Sequence, residues 1–169
     1  MGQQQLLLVI LVTIIVGIAT VVAINTFGSA ADQANVDAVT NDIATLASAA
    51  QGFYMRPAML GGGSRNFNSG GFNDGGVSFQ GLAFPATAID QNTFMTAQNE
   101  NGRYIIGDHA QDSFTITANP SSCTGYAPGD VADADEGETA AGDLTGGSDC
   151  DAADQITATV TPNNFTINQ

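Results

Sequence analysis

The sequence predicts an α+β protein in which a long N-terminal α-helix packs on a small antiparallel β-sheet domain. Residues 6–24 form an apolar run whose only polar members are Thr13 and Thr20. Residues 36–53 keep a helical spacing of apolar side chains, and the second half of the chain contains short segments that alternate apolar and polar residues. The first proline is Pro57, and a helix usually ends at or before the residue that precedes a proline. We therefore expect one helix from about Gly2 to Met55.

Charge restricts the partners of this chain. Its 169 residues include 17 acidic side chains, three arginines and no lysine, which gives a formal net charge of −14. Coulomb repulsion argues against nucleic acid and against an anionic membrane surface as partners. The same charge favours cations and suits a high-salt environment, where repulsion is screened within a few ångströms.

The apolar run LLLVILVTIIVGIATVVAI at 6–24 has no charge and no proline. As a helix it would be roughly 29 Å long, which is about the thickness of a bilayer core. It is interpreted as a cleaved secretory signal, as a single-pass anchor, or as an assembly helix that leaves the membrane for the core of a polymer. Gly28-Ser29-Ala30 would suit cleavage, but a signal peptide has a shorter apolar core of roughly 7–15 residues.

The predicted helix has two halves of different character. Residues 1–27 are apolar on all sides, which requires lipid or other helices around them. In residues 28–56 the apolar side chains recur at alternating spacings of three and four, which is one face of a helix. We expect that face to pack against a globular domain at 57–169, through Val36, Val39, Ile43, Leu46 and Phe53.

The globular domain is predicted to begin with a glycine-rich loop at 61–81. Eight glycines in these 21 residues argue against a long regular element. A phosphate-binding loop would need a preceding strand and a following helix, and neither is evident. Phe67, Phe72 and Phe79 are expected to fix the loop onto the domain or onto a neighbour.

A β-rich region follows the loop. Asn101-Gly102 predicts a hairpin turn, and several segments alternate apolar with β-branched polar residues. We expect four or five short antiparallel strands that form a meander across the amphipathic helix. The segments are 93–98, 103–107, 114–117, 156–160 and 165–167.

An acidic loop at 119–154 contains both cysteines, Cys123 and Cys150. An even cysteine count in an exported domain favours a disulfide, with two free thiols in a cytosolic protein as the alternative. Closing a loop of about 28 residues would contribute roughly 3.6 kcal/mol to stability in the chain-entropy model.

Carboxylates cluster within this acidic loop. Alternating carboxylates at Asp133, Asp135 and Glu138 favour a solvated loop or, as the alternative, a calcium site. The match to a calcium loop is incomplete because Leu144 occupies its twelfth position. We therefore assign no metal and no other cofactor.

Residues that could carry catalysis are few. His109 is the single histidine, and one histidine without further ligands does not make a zinc site. His109, Asp108 and Ser113 contain the side chains of a triad, but nothing predicts a nucleophile elbow or an oxyanion hole beside them. We expect no enzymatic activity. Separately, Asn164-Phe165-Thr166 has the N-glycosylation pattern, which makes Asn164 a candidate acceptor.

The apolar N-terminal helix, its amphipathic extension, the antiparallel strands and the late disulfide loop together resemble a type IV pilin or pilin-like protein. The resemblance covers the whole architecture, and its sequence-specific part is 1–55. It implies that a prepilin peptidase removes a leader and that the subunit first waits in the inner membrane. It also implies that pilus assembly machinery moves the helix into a bundle of like helices, with the sheet domains on the outside of an extracellular filament.

The resemblance assigns a role to Gln5. Many bacterial members carry a glutamate at the fifth mature position, which pairs with the terminal amine of a neighbour. If Met1 is the first mature residue, Gln5 offers a hydrogen bond in place of that charge pair; if processing follows Gly2, the fifth residue is Leu7. Many members also have a proline in the membrane half, which this chain lacks, so we expect a more continuous helix. The implied assembly core comprises Gln5, Leu6, Leu7, Leu8, Ile10, Leu11, Ile14, Ile15, Gly17, Ile18, Val21, Val22 and Ile24.

The expected function is therefore that of a self-polymerising structural subunit of a surface filament used for adhesion, motility or another appendage role. The competing class is a monomeric, membrane-anchored extracytoplasmic domain that captures a ligand with its glycine-rich or acidic loop. A minor pseudopilin of a secretion system lies between the two. Solubility separates them, because a filament sediments without detergent whereas an anchored monomer requires detergent.

Overall fold

A computed structural model of the protein describes residues 2–68, 76–131, 144–145 and 147–168. It has the α+β architecture that the sequence predicts, with a long N-terminal helix that ends where Pro57 was expected to end it. The elements are α1 (Gly2–Met55), a short 3₁₀ helix (Ala58–Leu60), α2 (Phe79–Leu82), β1 (Ala88–Ile89), β2 (Thr96–Gln98), β3 (Gly102–Gly107), β4 (Phe114–Pro120), β5 (Asp130–Val131), β6 (Leu144–Thr145), β7 (Ile156–Val160) and β8 (Phe165–Asn168).

The chain forms two compact units, residues 1–34 and residues 35–169. The first unit consists of the N-terminal part of α1. The second unit contains the remainder of α1 and all the described strands, and it holds the hydrophobic core.

Six strands of the second unit make one antiparallel sheet in the order β1-β2-β3-β4-β7-β8. Its centre is the long pairing of β3 with β4, from Gly102 opposite Pro120 to Gly107 opposite Thr115. Burial alternates along β3 and β7, as expected when one face of a sheet covers a core. The sheet therefore turns one row of side chains in each strand toward α1.

The core lies between this sheet and α1. Val39, Ile43 and Leu46 are fully or almost fully buried at spacings of four and three, and Val36 is partly buried against the same cluster. The small side chains of Ala47 and Ala50 complete the buried helix face. Apolar periodicity in this half of α1 thus corresponds to a packed helix–sheet interface.

The glycine-rich segment ends in a helical turn, α2, where the sequence predicted a loop. Ser78 accepts a hydrogen bond from the backbone N–H of Gly81 and caps the single turn of α2, so the last residues of the predicted loop are helical. Phe67 and Phe79 are completely buried, and the ring centre of Phe67 lies 4.8 Å from that of Tyr54. Phe72 lies outside the described residues.

The strands are more numerous than the four or five that the alternation predicts. β1 adds a two-residue edge to the main sheet, and β5 pairs with β6 in a separate two-stranded sheet. A two-residue strand contains a single alternation, so it leaves no periodic signal in a sequence.

Candidate functional site

The apolar part of α1 presents hydrophobic side chains all round. Its large aliphatic residues between Leu6 and Ile24 are each between 48% and 69% exposed. The most apolar 18-residue window has a mean hydropathy of 3.2 and none of it is buried. By length and composition this is a helix that could cross a membrane. The residues assigned to the assembly core all lie on this exposed segment: Gln5, Leu6, Leu7, Leu8, Ile10, Leu11, Ile14, Ile15, Gly17, Ile18, Val21, Val22 and Ile24.

Polar groups on the same segment are satisfied within the helix. The hydroxyls of Thr13, Thr20 and Thr26 donate to backbone carbonyls one turn earlier, over 2.8, 2.8 and 2.9 Å. Such internal bonds remove the cost of placing a hydroxyl in an apolar medium. Gly17 has open space where a side chain would stand. The segment is thus chemically suited to lipid or to a bundle of similar helices.

In the second unit, Asp42 is the acceptor at the centre of a polar cluster on α1. Its Oδ2 accepts from the Tyr104 hydroxyl at 2.7 Å and from the side-chain amides of Asn99 and Asn101 at 2.9 Å each. Burial and the bond to Asp42 raise the pKa of Tyr104 far above its usual value. The cluster joins the β2–β3 turn to α1, with the tyrosine held as a neutral donor.

Asn35 makes a second polar connection about two turns before Asp42 on α1. Its side-chain amide donates to the Asn101 carbonyl at 2.9 Å and to the Ser121 hydroxyl at 3.1 Å. Its side-chain oxygen accepts from the backbone and the hydroxyl of Ser122 at 3.2 and 3.0 Å. The hairpin turn and the start of the disulfide-closed loop are therefore both tied to the helix.

The predicted disulfide is present between Cys123 and Cys150, whose Cα atoms are 5.7 Å apart. Buried Asn119 anchors the far end of the loop, since its side chain accepts from the Cys150 N–H and donates to Asp149. The guanidinium Nε of Arg103 lies 3.8 Å from the same carboxylate. These contacts attach the end of the loop to β3 and β4.

The candidate calcium ligands Asp133, Asp135 and Glu138 lie outside the described residues. Within the residues that the structure describes, no group of three or more His, Cys, Asp or Glu side chains is placed to hold a metal ion. The calcium alternative therefore remains a prediction.

The remaining predicted residues have local partners. A ring nitrogen of His109 lies 3.3 Å from the Val77 carbonyl, and the Asp108 carboxylate accepts from Thr115 at 3.2 Å. Asn164 is exposed in the turn between β7 and β8, where its backbone bonds Thr161. An exposed turn is the location at which a glycosylation acceptor is accessible.

Sequence reasoning missed the two polar clusters centred on Asp42 and Asn35. Both residues lie just off the apolar stripe of α1, and their partners are about 60 to 90 positions away in the chain. The sequence did contain a local signal for these clusters, because Asn35 and Asp42 are polar residues next to buried or half-buried positions of the helix. Their partners could not be assigned without the strand register.

Comparison with known proteins gives no match: no family model, no curated protein and no solved structure matches this chain.

Proposed function

We propose that the chain is a structural subunit that polymerises through its N-terminal helix into an extracellular filament of the type IV pilus kind. One observation carries the proposal: a single helix, α1, is apolar and exposed all round over residues 6–24, yet its later part is packed on a sheet through one face. The apolar face of the later part is buried within the second unit. The earlier part needs an apolar environment outside the chain.

The same surface suits two environments in succession. In the inner membrane, lipid would cover the helix of a single-pass subunit. Outside the membrane, each Leu, Ile or Val side chain left in water would forgo roughly 1.5–3 kcal/mol of burial, so only a bundle of like helices would keep the polymer associated. The internally satisfied hydroxyls of Thr13 and Thr20 allow both environments without an unpaired polar group.

The disulfide supports an extracytoplasmic position for the second unit. Disulfides persist in oxidising compartments and are rare in the cytosol, and Cys123 and Cys150 are joined. The self-association would be assisted by a prepilin peptidase and by pilus assembly machinery, as the likeness to pilins implies. The net charge of −14 argues against nucleic acid as a partner.

The test is electron microscopy of material sheared from cells that make the protein, with mass spectrometry of its N-terminal peptide. We expect thin filaments composed of this chain, and a defined first residue that locates the processing site. Ile14→Asp, in the exposed apolar segment, should abolish filaments, whereas Thr45→Asp, on an exposed position of the amphipathic half, should retain them. Protein found exclusively in detergent extracts of membranes would instead support an anchored monomeric domain.

A further inference from the structure

A short apolar projection follows the end of α1. Residues 55–61 are exposed throughout, and three large apolar side chains point away from the core: Met55 at 67%, Met59 at 97% and Leu60 at 70% exposed. Clusters of exposed apolar residues on soluble surfaces mark interaction sites more often than scattered single ones do. We call residues 55–61 the tip.

Backbone hydrogen bonds hold the tip in one conformation. Leu60 N–H donates to the Pro57 carbonyl at 2.9 Å, and Gly63 N–H reaches back to the Phe53 carbonyl of α1 at 2.9 Å. The Ser64 hydroxyl accepts from the Ala58 N–H at 2.7 Å. The apolar side chains are thus presented by a preorganised turn, which lowers the entropic cost of binding a partner.

The tip also carries an unusual charge for this molecule. The chain has three arginines. Arg103 lies near Asp149. Arg65 lies near Tyr54, where its charge partly opposes the rise that Asp112 causes in the pKa of Tyr54. Arg56 is exposed, and no carboxylate among the described residues lies within ion-pair distance of it. An apolar cluster with one free cation is complementary to an apolar groove with an acidic rim.

The second unit has a groove beside the disulfide that combines apolar lining residues with polar ones and one acidic side chain. This open groove has a volume of about 360 Å³, at the lower end of the range of ligand-binding clefts. Buried Pro120 and Ile156 line it together with half-buried Val36 and Cys123 and exposed Ala153 and Asp154. The polar side chains of Ser122, Thr124 and Gln155 complete the lining. Among the described residues, Asp154 has no cationic side chain within ion-pair distance.

The tip and the groove lie at opposite ends of the part of α1 that belongs to the second unit. Nineteen residues separate Val36 from Met55, which is about 29 Å along a helix. A surface that meets a different surface on the next copy makes a heterologous contact, and such contacts repeat without closing unless the rotation forms a ring. The arrangement therefore suits a linear stack of second units.

We propose that the tip of one copy binds in the groove of a second copy, with Met59 and Leu60 in the groove and Arg56 paired with Asp154. This inference rests on the proposed filament and names the contact that sets its axial register. The contact is too small to hold two subunits alone. Coupled to the packing of the apolar helices, it acts intramolecularly within the polymer and selects one stagger of neighbouring subunits.

Photo-crosslinking of the full chain tests the contact. A photoreactive amino acid in place of Met59, introduced into a mixture of light and heavy isotope-labelled subunits, should give crosslinks between copies to peptides that contain 120–124 or 153–156. The same probe in place of exposed Thr166 on β8 should give none to these peptides. Intermolecular crosslinks from position 59 to other segments, or none at all, would overturn the contact.

This readout separates the contact from the filament. Filaments without the position-59 crosslinks would leave the proposed function standing and refute the contact. Crosslinks between copies in membranes of cells that make no filaments would establish the contact and refute the filament. The absence of both would refute both.

Charge reversal provides a second test. Arg56→Glu and Asp154→Arg should each lower the yield of sheared filaments about tenfold, and the double variant should restore it to within about twofold, because the pair is re-formed with opposite polarity. Arg65→Glu, the same charge change beside the Tyr54–Asp112 pair, is the matched control and should change the yield less than twofold. A double variant no better than either single one would contradict the pairing; an intact Cys123–Cys150 disulfide in each membrane pool verifies folding.

Discussion

The Tyr104 hydroxyl donates a 2.7 Å hydrogen bond to Oδ2 of Asp42, which joins the central strand β3 to α1. Tyr104 is completely buried, so its polar end needs a partner. Two asparagine amides from the β2–β3 turn share the same carboxylate oxygen. One aspartate on the helix therefore satisfies donors from the strand and from its turn, and fixes the register between the helix and the sheet.

Asp42→Ala should lower the free energy of unfolding by about 3 kcal/mol, because a buried tyrosine and two amides would lose their acceptor. Asp42→Asn should cost less, since one oxygen acceptor remains. Denaturant unfolding of the full chain in detergent, followed by tyrosine fluorescence, measures both. The control is Asp37→Asn, at an exposed position of α1. If Asp37→Asn lowers the free energy of unfolding as much as Asp42→Ala does, the effect reflects the loss of a charge and not the loss of the buried acceptor.

Stability should fall in alkaline solution because of Tyr104. Burial and the bond to Asp42 raise its pKa in the folded protein above the ordinary value of 10.0. Below pH 10 the phenol is neutral in both states and the stabilisation is complete; above pH 10 the unfolded chain loses the proton while the folded chain keeps it. The free energy of unfolding should then decrease by about 1.4 kcal/mol per pH unit from this group.

The check is denaturant unfolding between about pH 9 and pH 11, with a phenolate absorbance titration. Tyr104→Phe should make the alkaline slope shallower by up to about 1.4 kcal/mol per pH unit. Tyr54, whose pKa is raised by its bond to Asp112, and Tyr126, whose pKa is raised by burial, contribute to the remaining slope, and Tyr54→Phe serves as the comparison. An unchanged slope in Tyr104→Phe would contradict this account.

Replacing Cys123 and Cys150 with serine should destabilise the second unit by roughly 3.6 kcal/mol, the chain-entropy value for a loop of this length. The loop should also become sensitive to proteolysis, although the bonds from Asn119 to Cys150 and Asp149 remain as anchors. Unfolding of the wild type with and without reductant gives the matched comparison. A double serine variant as stable as the oxidised wild type would mean that those anchors alone hold the loop.

Two glycines test the preorganised tip. A Cβ at Gly62 would lie 2.3 Å from the Arg56 carbonyl oxygen, whereas a Cβ at Gly52 on α1 would meet no atom within 4 Å. Gly62→Ala should therefore cost about 1–3 kcal/mol through backbone displacement, and Gly52→Ala should stabilise α1 by up to about 1 kcal/mol. Thermal unfolding of the two variants measures both signs. Equal changes in the stability of the two variants would show that the turn can accommodate a Cβ at position 62.

The extent of α1 and the main strands could be predicted because their signals are local. Pro57 marks the end of the helix, and β7 alternates buried and half-buried residues over its whole length. β1, β5 and β6 contain two residues each, too few to carry a period. α2 could not be separated from the glycine-rich loop, since its single turn depends on the Ser78 cap.

The candidate sites also differ in how far the sequence predicts them, according to whether their residues are continuous in the chain. The exposed apolar segment of α1 is continuous in sequence, so composition alone defines it. The groove beside the disulfide combines residues from three separate parts of the chain, and its shape depends on the pairing of β4 with β7. The tip could not be predicted from the sequence, because only its exposure distinguishes Met59 from a core methionine. Local sequence does not encode that exposure.

Ionic strength should control the association of filaments, because 17 acidic side chains face three arginines in each copy. Between about 1 M and about 0.01 M salt the screening length grows from roughly 3 to roughly 30 Å, so lateral bundles should disperse and filaments should shorten. Dynamic light scattering and microscopy across this range measure the effect. A chelator added at constant ionic strength is the control that separates screening from a bound divalent cation. Shortening by the chelator alone would favour the calcium alternative at Asp133, Asp135 and Glu138, and filaments unaffected by both treatments would contradict a role for charge at their contacts.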